Sequence, residues 1–329
     1  MILRIPYSAT HCEQWNLALR VSCFPSLLLE RAYMDYHADR FEDASLMFVD
    51  HKGRTEGLVA SSIQRPTRTI LSHGGLTYGG LVPSCHATYA EVDEMLSLAA
   101  QYYRDELGMQ RWVYKVVPQP YWSKPADEVL YWLTQHGGQL TSRGLSSALP
   151  LDPWAEEGAD VSLPTLSHMR RRKVHRAISH GLRTQTQTPI SELPKFWKLL
   201  SDNLLHRHNV RPVHTLEEMT LLMHTFPERI RLATTWDGDE LLAGVIVYGS
   251  SPQLAHAQYI ASNATGRACG ALDLLIVRAM RAAALEGYRW YDFGISTLHD
   301  GTGLNAGLLA QKEGFGARGI CYDIYTLTL

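Results

Sequence analysis

The sequence contains few cysteines, and their spacing shows no paired motif. Only five cysteines are present, an odd number, and no two of them are spaced as Cys-x-x-Cys. This usage argues against a disulfide framework and against a zinc site. A reducing compartment suits such cysteines, so we expect a cytoplasmic protein that binds no metal.

Long apolar runs are also absent. The longest one, Leu241 to Tyr248, has the length of a strand, whereas a membrane-spanning helix needs about 20 apolar residues. The first residues, Met1 to Tyr7, contain neither the apolar segment nor the cleavage site of a signal peptide. We therefore expect no insertion into a membrane.

The chain has no large excess of charge of either sign. Its formal net charge is -2 at pH 7, which excludes a protein whose whole surface binds nucleic acid electrostatically. What the sequence does contain is 329 residues with 45% hydrophobic content, enough for two cores rather than one. Two domains are therefore expected.

Apolar periodicity and turn residues predict alternating helices and strands in the first half. The predicted elements are helices at 12–21 and 25–36, strands at 45–50, 58–64 and 70–76, a helix at 89–107, a strand at 112–117, a helix at 126–135 and a strand at 139–151. A connector rich in proline and acidic residues follows at 152–164. It places a domain boundary between residues 1–152 and 153–329.

The second half repeats this order. Its predicted elements are a basic helix at 167–179, helices at 193–208 and 215–224, strands at 231–235, 241–248 and 254–261, a helix at 271–286, a strand at 289–295, a helical run at 304–313 and a last strand. Each half thus reads as helices, hairpin, strand, glycine loop, helix and strand.

A short loop with Arg267, Gly270 and Ala271 is predicted between the strand at 254–261 and the helix that follows. Such a loop directs unpaired backbone N–H groups to one place, where a pyrophosphate or a carboxylate can bind. Arg267 would add a fixed positive charge, and Gly270 would let the backbone approach closely. The alternative interpretation is an ordinary turn at the start of a helix.

Two such halves, with a basic helix opening the second, resemble the FemAB-like (Fem-type) tandem group of the GNAT acyltransferase superfamily. The closest local matches are Met169-Arg170-Arg171-Arg172-Lys173, His256-x-Gln258-Tyr259-Ile260, Tyr291-Asp292-Phe293-Gly294 and the segment from Leu304-Asn305 to Gly314-Phe315. The resemblance implies an α/β fold of two GNAT-like domains, each a mixed, mostly antiparallel sheet flanked by helices. It also implies an acyl donor between splayed strands of the second domain and an acceptor held partly by the first.

The activity implied is N-acyl transfer from acyl-CoA, most simply acetyl-CoA, to an amine of a cell-envelope polysaccharide or nucleotide-sugar precursor. Two departures from the family pattern keep alternatives open. Ala310 stands where a tyrosine usually protonates the departing thiolate, and Leu272 stands where a small residue usually closes the donor loop. The alternatives are a Fem-type transferase that uses aminoacyl-tRNA and a peptidoglycan precursor, and an inactive GNAT fold that binds a ligand.

Attack by an amine requires a base and donors for the developing oxyanion. Histidine titrates in the appropriate range, and His256 and His214 are the candidates among 15 histidines. Asp292, on the strand beside that of His256, is expected to orient the imidazole, although it would equally suit a loop cap. Backbone N–H groups after Gln258 and Tyr259 are the expected oxyanion donors.

Further residues are predicted to contact substrates. Arg170 and Arg172 belong to a basic cluster that would clamp a donor phosphate, or would simply form a solvated helix face. Lys312 would reach a phosphate or be solvated. Asn305 is predicted to contact the donor, or alternatively to cap a helix. Tyr78, Gly79 and Gly80 are predicted to form an acceptor loop, or alternatively a tight turn.

Overall fold

The computed structural model describes residues 2–156, 165–298 and 303–329, so most of the predicted connector at 152–164 lies outside the described residues. The chain forms two compact units. The first contains the residues up to Leu145 together with Cys321–Leu329, and the second is Ser146–Ile320. The units divide within the strand Gln139–Pro150, which ends before the predicted boundary at residue 152, and that boundary stays a prediction. No helix in the described ranges has the length and apolarity needed to cross a bilayer.

The first unit consists of short strands and four helices. Its strands are β1 (Ile2–Pro6), β2 (Glu42–Asp43), β3 (Leu46–Asp50), β4 (Thr55–Ala60), β5 (Ser62–Gln64), β6 (Thr69–Leu71), β7 (Gly80–Pro83), β8 (Arg111–Lys115) and the first part of β9 (Gln139–Pro150). Its helices are α1 (Cys12–Arg20), α2 (Arg31–Asp35), α3 (Tyr89–Gln101) and α4 (Glu128–Gln135). Strands β1, β3, β4 and β7 form one antiparallel sheet in that order.

The helix predicted at 25–36 is not continuous. A 3₁₀ turn covers Leu27–Leu29, and α2 begins only at Arg31, because Glu30 between them has an extended backbone. The side chain of Ser26 accepts a hydrogen bond from Leu28 N and caps the turn, while Arg31 N donates to the Asn16 side chain. Local capping has therefore replaced the helical hydrogen bonds that the apolar spacing suggested.

The second unit carries the longer elements. Its helices are α5 (Asp152–Ala155), α6 (His168–Ser179), α7 (Leu193–His208), α8 (Leu216–Thr225), α9 (Ala264–Cys269), α10 (Ala271–Leu285) and α11 (Ala306–Glu313). Its strands are β10 (Arg183–Gln185), β11 (Ile230–Asp237), β12 (Glu240–Ser251), β13 (Leu254–Ser262), β14 (Trp290–Ile295) and the start of β15 (Arg318–Thr328). The sheet order is β10-β11-β12-β13-β14, and β14 also pairs with residues 146–150 of β9.

Helix α10 is the central helix of the second unit. Alanine and branched apolar residues cover most of its circumference, as expected for a helix buried on several sides. It packs against α5, α6 and strands β11 and β12, and its Leu275 and Met280 lie in the same buried core as Trp154 and Tyr291. This packing fixes the first turn of α10 relative to α6 and to strand β13.

Candidate active site

Strands β13 and β14 separate in the middle of the second unit. They pair in parallel only from Leu254–Trp290 to His256–Asp292. On the other side of β13, Tyr259 pairs with Ile246 and Ala257 pairs with Val247, so Gln258 is the extra residue of a β-bulge. A bulge beside the separation of two strands removes backbone groups from the regular hydrogen-bond ladder of the sheet. Stabilisation of an oxyanion by the N–H groups after Gln258 and Tyr259 stays a prediction.

His256 and Asp292 form a hydrogen-bonded pair at the last paired position of these strands. His256 Nδ1 lies 3.0 Å from Asp292 Oδ2, and the histidine side chain is 16% exposed while the carboxylate is fully buried. The other carboxylate oxygen accepts hydrogen bonds from Ser146 Oγ at 2.6 Å and from Gly294 N at 2.8 Å. Asp292 is thus held in place and engages Nδ1 of the ring, while the role of His256 as base and of Asp292 as its orienting partner stays a prediction.

His214 lies in a different environment. Its Nδ1 is 2.6 Å from the Tyr259 hydroxyl, and the two rings are nearly perpendicular. Tyr259 also contacts Trp197 edge to face, and burial raises the pKa of its phenol. The described contacts of both His214 and Tyr259 are therefore those of packed side chains, and their roles as base and donor contact remain predictions.

A cavity of about 280 Å³ lies next to the separated strands. Its walls are mostly apolar, and four of its eight polar side chains are cationic. The lining residues come from α6 (Arg170, Lys173), α7 (Leu200, Asn203, Leu204), β13 (Ile260, Ala261, Ser262), α9 (Arg267), α10 (Leu272, Asp273, Ile276), β14 (Phe293) and α11 with its C-terminal turn (Leu308, Gln311, Lys312, Phe315). Apolar walls with a few converging polar groups are typical of small-ligand sites.

The predicted donor loop is a short helix, α9. Asn263 caps it, because its side-chain oxygen accepts a hydrogen bond from Gly266 N at 2.7 Å. Arg267 lines the cavity as expected, but its guanidinium is also tied down locally: Nη1 donates to Ser262 O and lies 3.5 Å from the Asn203 side chain. The helix differs from the predicted loop because the Asn263 side chain caps it, which the apolar pattern does not reveal.

Gly270 lies at a close approach of two helices. It has φ +87°, ends α9 and begins α10. A Cβ atom at this position would lie 2.3 Å from the backbone oxygen of Lys173, so the glycine allows α6 to approach α10 closely. Ala271, the next residue, is fully buried in the core. Neither residue lines the cavity, so a contact of these two with the donor stays a prediction.

The basic cluster of α6 divides between the cavity and the surface. Arg170 is buried and forms an ion pair with Asp273 of α10, and its guanidinium lies over the Phe315 ring. Arg172 is exposed, whereas Lys173, one helical turn after Arg170, lines the cavity. Residues three apart in a helix lie on the same face. This spacing from Arg170 could have identified Lys173, and not Arg172, as the second cavity residue.

Lys312 is neither solvated nor free to extend to a phosphate. Its side chain is buried, with 3% of the residue exposed, and its ammonium donates to Gly294 O at 2.7 Å, Ile295 O at 3.0 Å and Ser296 Oγ at 2.9 Å. Burial lowers its pKa to about 8, and the nearby Asp292 opposes this shift. Lys312 thus anchors the segment that follows Asp292.

Asn305 caps α11. Its side-chain oxygen accepts a hydrogen bond from Leu308 N at 3.0 Å, which is the alternative that the sequence left open. Ala310 is exposed and, among the described residues, is not part of the cavity wall. A donor-binding role for Asn305 stays a prediction.

The pKa of Lys312 predicts a pH dependence of stability. The unfolded chain holds this proton up to a pH near 10.5, whereas the folded chain releases it near 8. Between these values the unfolded state binds more protons, so the free energy of unfolding rises with pH. We expect the difference in unfolding free energy between the wild type and Lys312→Met to change by 1–3 kcal/mol, on the order of the shift, from pH 7.5 to 10.

Urea unfolding at several pH values measures this difference. Lys198→Met removes a lysine whose side chain is 79% exposed and is the matched control, for which we expect no such change. Parallel curves for the wild type and Lys312→Met would show that Lys312 keeps an ordinary pKa.

In the first unit, the predicted acceptor loop is closely packed. Tyr78 is buried with edge-to-face contacts to Phe24 and Tyr322, and a Cβ atom at Gly80, where φ is +85°, would lie 2.2 Å from the Tyr114 ring. A Cβ atom at Gly79 would lie 3.0 Å from the backbone of Ser72. These contacts are those of a tight turn, so acceptor binding by this loop remains a prediction.

A cation lies beside this loop. Lys115 Nζ donates to His73 O at 3.2 Å and to Leu76 O at 2.8 Å. Burial lowers the pKa of Lys115 to about 8. The sequence could not reveal this neighbour, because Lys115 lies on β8, far along the chain from the loop.

His206 makes a local contact within its own helix. His206 Nδ1 lies 2.6 Å from Asp202 O within α7, and the side chain of His208 is outside the described residues. Across the described ranges, no cluster of three or more histidine, cysteine, aspartate or glutamate residues is arranged to hold a metal ion.

Several known proteins are similar to this chain. Residues 167–300 match the family model of the acetyltransferase (GNAT) domain. A structure of FemX matches with a TM-score of 0.72 and 11% identity, over 99% of this chain and 97% of that one. L-PGS from Bacillus licheniformis matches with a TM-score of 0.60 and 12% identity, over 97% and 91% of the two chains.

A tandem GNAT protein from the clavulanic acid biosynthesis pathway matches with a TM-score of 0.52 and 14% identity, over 100% of this chain and 98% of that one. No curated protein matches the sequence. The predicted fold class, two GNAT-like domains with mixed and mostly antiparallel sheets flanked by helices, is confirmed. The chain therefore has a tandem GNAT fold similar to that of FemX, and residues 167–300 match the GNAT domain.

Proposed function

We propose that this protein is an N-acyltransferase whose second unit transfers an acyl group from an activated donor to an amine. The observation that carries the proposal is the His256–Asp292 pair, oriented by Ser146 and Gly294, at the point where β13 and β14 separate. A neutral amine must lose a proton as it forms the amide bond. His256, with Nδ1 directed to a buried carboxylate, would accept that proton at Nε2.

Acyl-CoA, most simply acetyl-CoA, is the proposed donor. The cavity fits it in chemical character, because its walls are apolar and Lys173 and Arg267 add positive charge near the first turn of α10. A bound donor supplies an activated carbonyl. Backbone N–H groups at the Gln258 bulge would stabilise the charge that develops on the carbonyl oxygen.

The proposed acceptor is an amine of a cell-envelope polysaccharide or nucleotide-sugar precursor. This assignment rests on the resemblance to Fem-type transferases, which also suggests that the first unit holds part of the acceptor. We further propose that the reaction occurs in the cytoplasm, where such precursors are made.

The second candidate donor is aminoacyl-tRNA, with a peptidoglycan precursor as acceptor. Two observations favour it. The similarity to FemX extends over nearly the whole chain, and Arg170 is already paired with Asp273 at the start of α10, where a CoA diphosphate would be expected to bind. An ester-linked aminoacyl group needs no diphosphate at that position.

Calorimetric titration of the full chain with acetyl-CoA, CoA, charged tRNA and uncharged tRNA separates these candidates. Micromolar CoA binding, about -8 kcal/mol, with acetylated amine detected by mass spectrometry, would support the first. Binding and turnover of charged tRNA alone would support the second. A chain that binds a donor but transfers no acyl group to any amine would be an inactive GNAT fold.

Arg267 provides a specific test of the donor site. We expect Arg267→Ala to raise the Kd for CoA by about 10- to 100-fold, since charge-assisted contacts to phosphate contribute roughly 1.5–3 kcal/mol. Arg172→Ala, which removes an exposed arginine outside the cavity wall, is the matched control and should leave the Kd unchanged. Equal affinities of both variants and the wild type would remove Arg267 from the donor site.

A further inference from the structure

The first turn of α10 already contains an anion. Asp273 is the third residue of this 15-residue helix, in the turn whose N–H groups lack helical partners and whose dipole favours negative charge. Its side chain is only 5% exposed, yet it belongs to the cavity wall. A donor phosphate directed to this turn would meet a carboxylate.

Arg170 is the cation that this carboxylate engages. Nη1 of Arg170 donates to Asp273 Oδ1, and the arginine side chain is 8% exposed. Among the described residues, the buried Nε atom of Arg170 has no hydrogen-bond partner. A guanidinium presents its donors in a planar fork that suits two oxygens of one phosphate, and the single Nη1 contact leaves that capacity partly unused.

Other charges around the pair favour an additional anion. Lys173 Nζ is 3.9 Å from Asp273 Oδ2, and Arg267 lines the same cavity. Together with Arg170, they put three cationic side chains and one carboxylate in the wall, besides Lys312, whose ammonium is already bound by backbone oxygens. In a partly buried cavity, such an excess of positive charge attracts a phosphate, but Asp273 repels it and competes for Arg170.

We propose that Asp273 is a specificity-determining residue of the donor site, because its carboxylate competes at Arg170 with the phosphate of the donor. This inference rests on the proposed function, since it places that phosphate in the cavity. Asp273 would therefore lower the affinity for phosphate-bearing donors, acyl-CoA included, below the affinity that the cationic side chains alone would give.

Titration with inorganic pyrophosphate, CoA and pantetheine tests the proposal. We expect Asp273→Asn, which keeps the shape and removes the charge, to bind pyrophosphate and CoA at least tenfold more tightly than the wild type. Pantetheine has no phosphate, and its affinity should stay within twofold. Arg170→Met combined with Asp273→Asn should lose the gain, because the cation that the phosphate would use is gone.

Unchanged pyrophosphate affinity in folded Asp273→Asn, or a parallel change for pantetheine, would overturn the proposal. Asp273→Ser is a second variant that keeps a polar residue in the first turn. If both single variants unfold while Arg170→Met/Asp273→Met folds, the pair serves stability alone and the proposal also fails.

The outcome is independent of acyl transfer. A gain in pyrophosphate binding without any transfer by the wild type would sustain the role of Asp273 and count against the proposed function. Transfer from acetyl-CoA by the wild type, with no gain in pyrophosphate affinity in Asp273→Asn, would support the proposed function. The same result would overturn the proposal that Asp273 competes with the phosphate.

Discussion

Replacement of His256 by glutamine is expected to lower kcat by about 10²–10⁴-fold, the usual contribution of a general base. Glutamine keeps a polar side chain on β13 but cannot accept a proton from the attacking amine. Because the change affects proton transfer rather than donor binding, the Kd for the donor should remain nearly constant. Asp292→Asn should also lower kcat, since it removes the carboxylate that orients the His256 ring through Nδ1.

Turnover at saturating donor and acceptor, with donor affinity measured separately, provides the readout. His224→Gln changes an exposed histidine on α8 and is the matched control. His214→Gln separates the two predicted bases, because His214 hydrogen-bonds to Tyr259 rather than occupying the position beside Asp292. Full activity in His256→Gln together with loss in His214→Gln would transfer the role of base to His214.

The second large effect is expected in stability rather than in activity. Gly270→Ala should lower the free energy of unfolding by about 2–5 kcal/mol, through a strained left-handed backbone and overpacking. The added Cβ would meet the backbone oxygen of Lys173 at 2.3 Å, and a backbone oxygen on a packed helix cannot rotate away as a side chain can. Loss of donor binding in this variant would therefore follow from misplacement of α6.

Gly287→Ala is the matched control for this prediction. Gly287 also has a positive φ, +91°, but no heavy atom lies within 4 Å of the Cβ position. It should lose only the strain contribution, about 1 kcal/mol. Denaturant unfolding of both variants measures the difference, and equal losses would show that contact with Lys173 contributes nothing.

Most elements of the second unit could be predicted from the sequence. The helix at 193–208 agrees with α7 at both ends, and the predicted strand and helix at 254–261 and 271–286 agree closely with β13 and α10. These elements have strong apolar periodicity, and packing in the core reinforces the same pattern. The predictions for α9 and for the turn before α2 were wrong. Side-chain hydrogen bonds at the helix ends determine where these elements begin, and apolar periodicity does not report them.

The proximity of His256 and Asp292 was also predictable, because both lie on adjacent strands near the same level of the sheet. The topology alone therefore indicated the pair. Its orientation by Ser146 was not, since Ser146 lies on β9, 146 residues from Asp292 in sequence. Nothing in the local pattern around Ser146 distinguishes it from Ser147.

By itself, the sequence determined the order of elements, the tandem arrangement and the strands that carry the candidate base. Only the tertiary structure decided which charges meet in the cavity. Arg170 and Asp273 are 103 residues apart, and the buried ammonium of Lys312 on α11 is held by the end of β14. Periodicity records which side of an element is buried, whereas a contact between distant charges depends on how the helices pack, and packing fixes their distances and their desolvation.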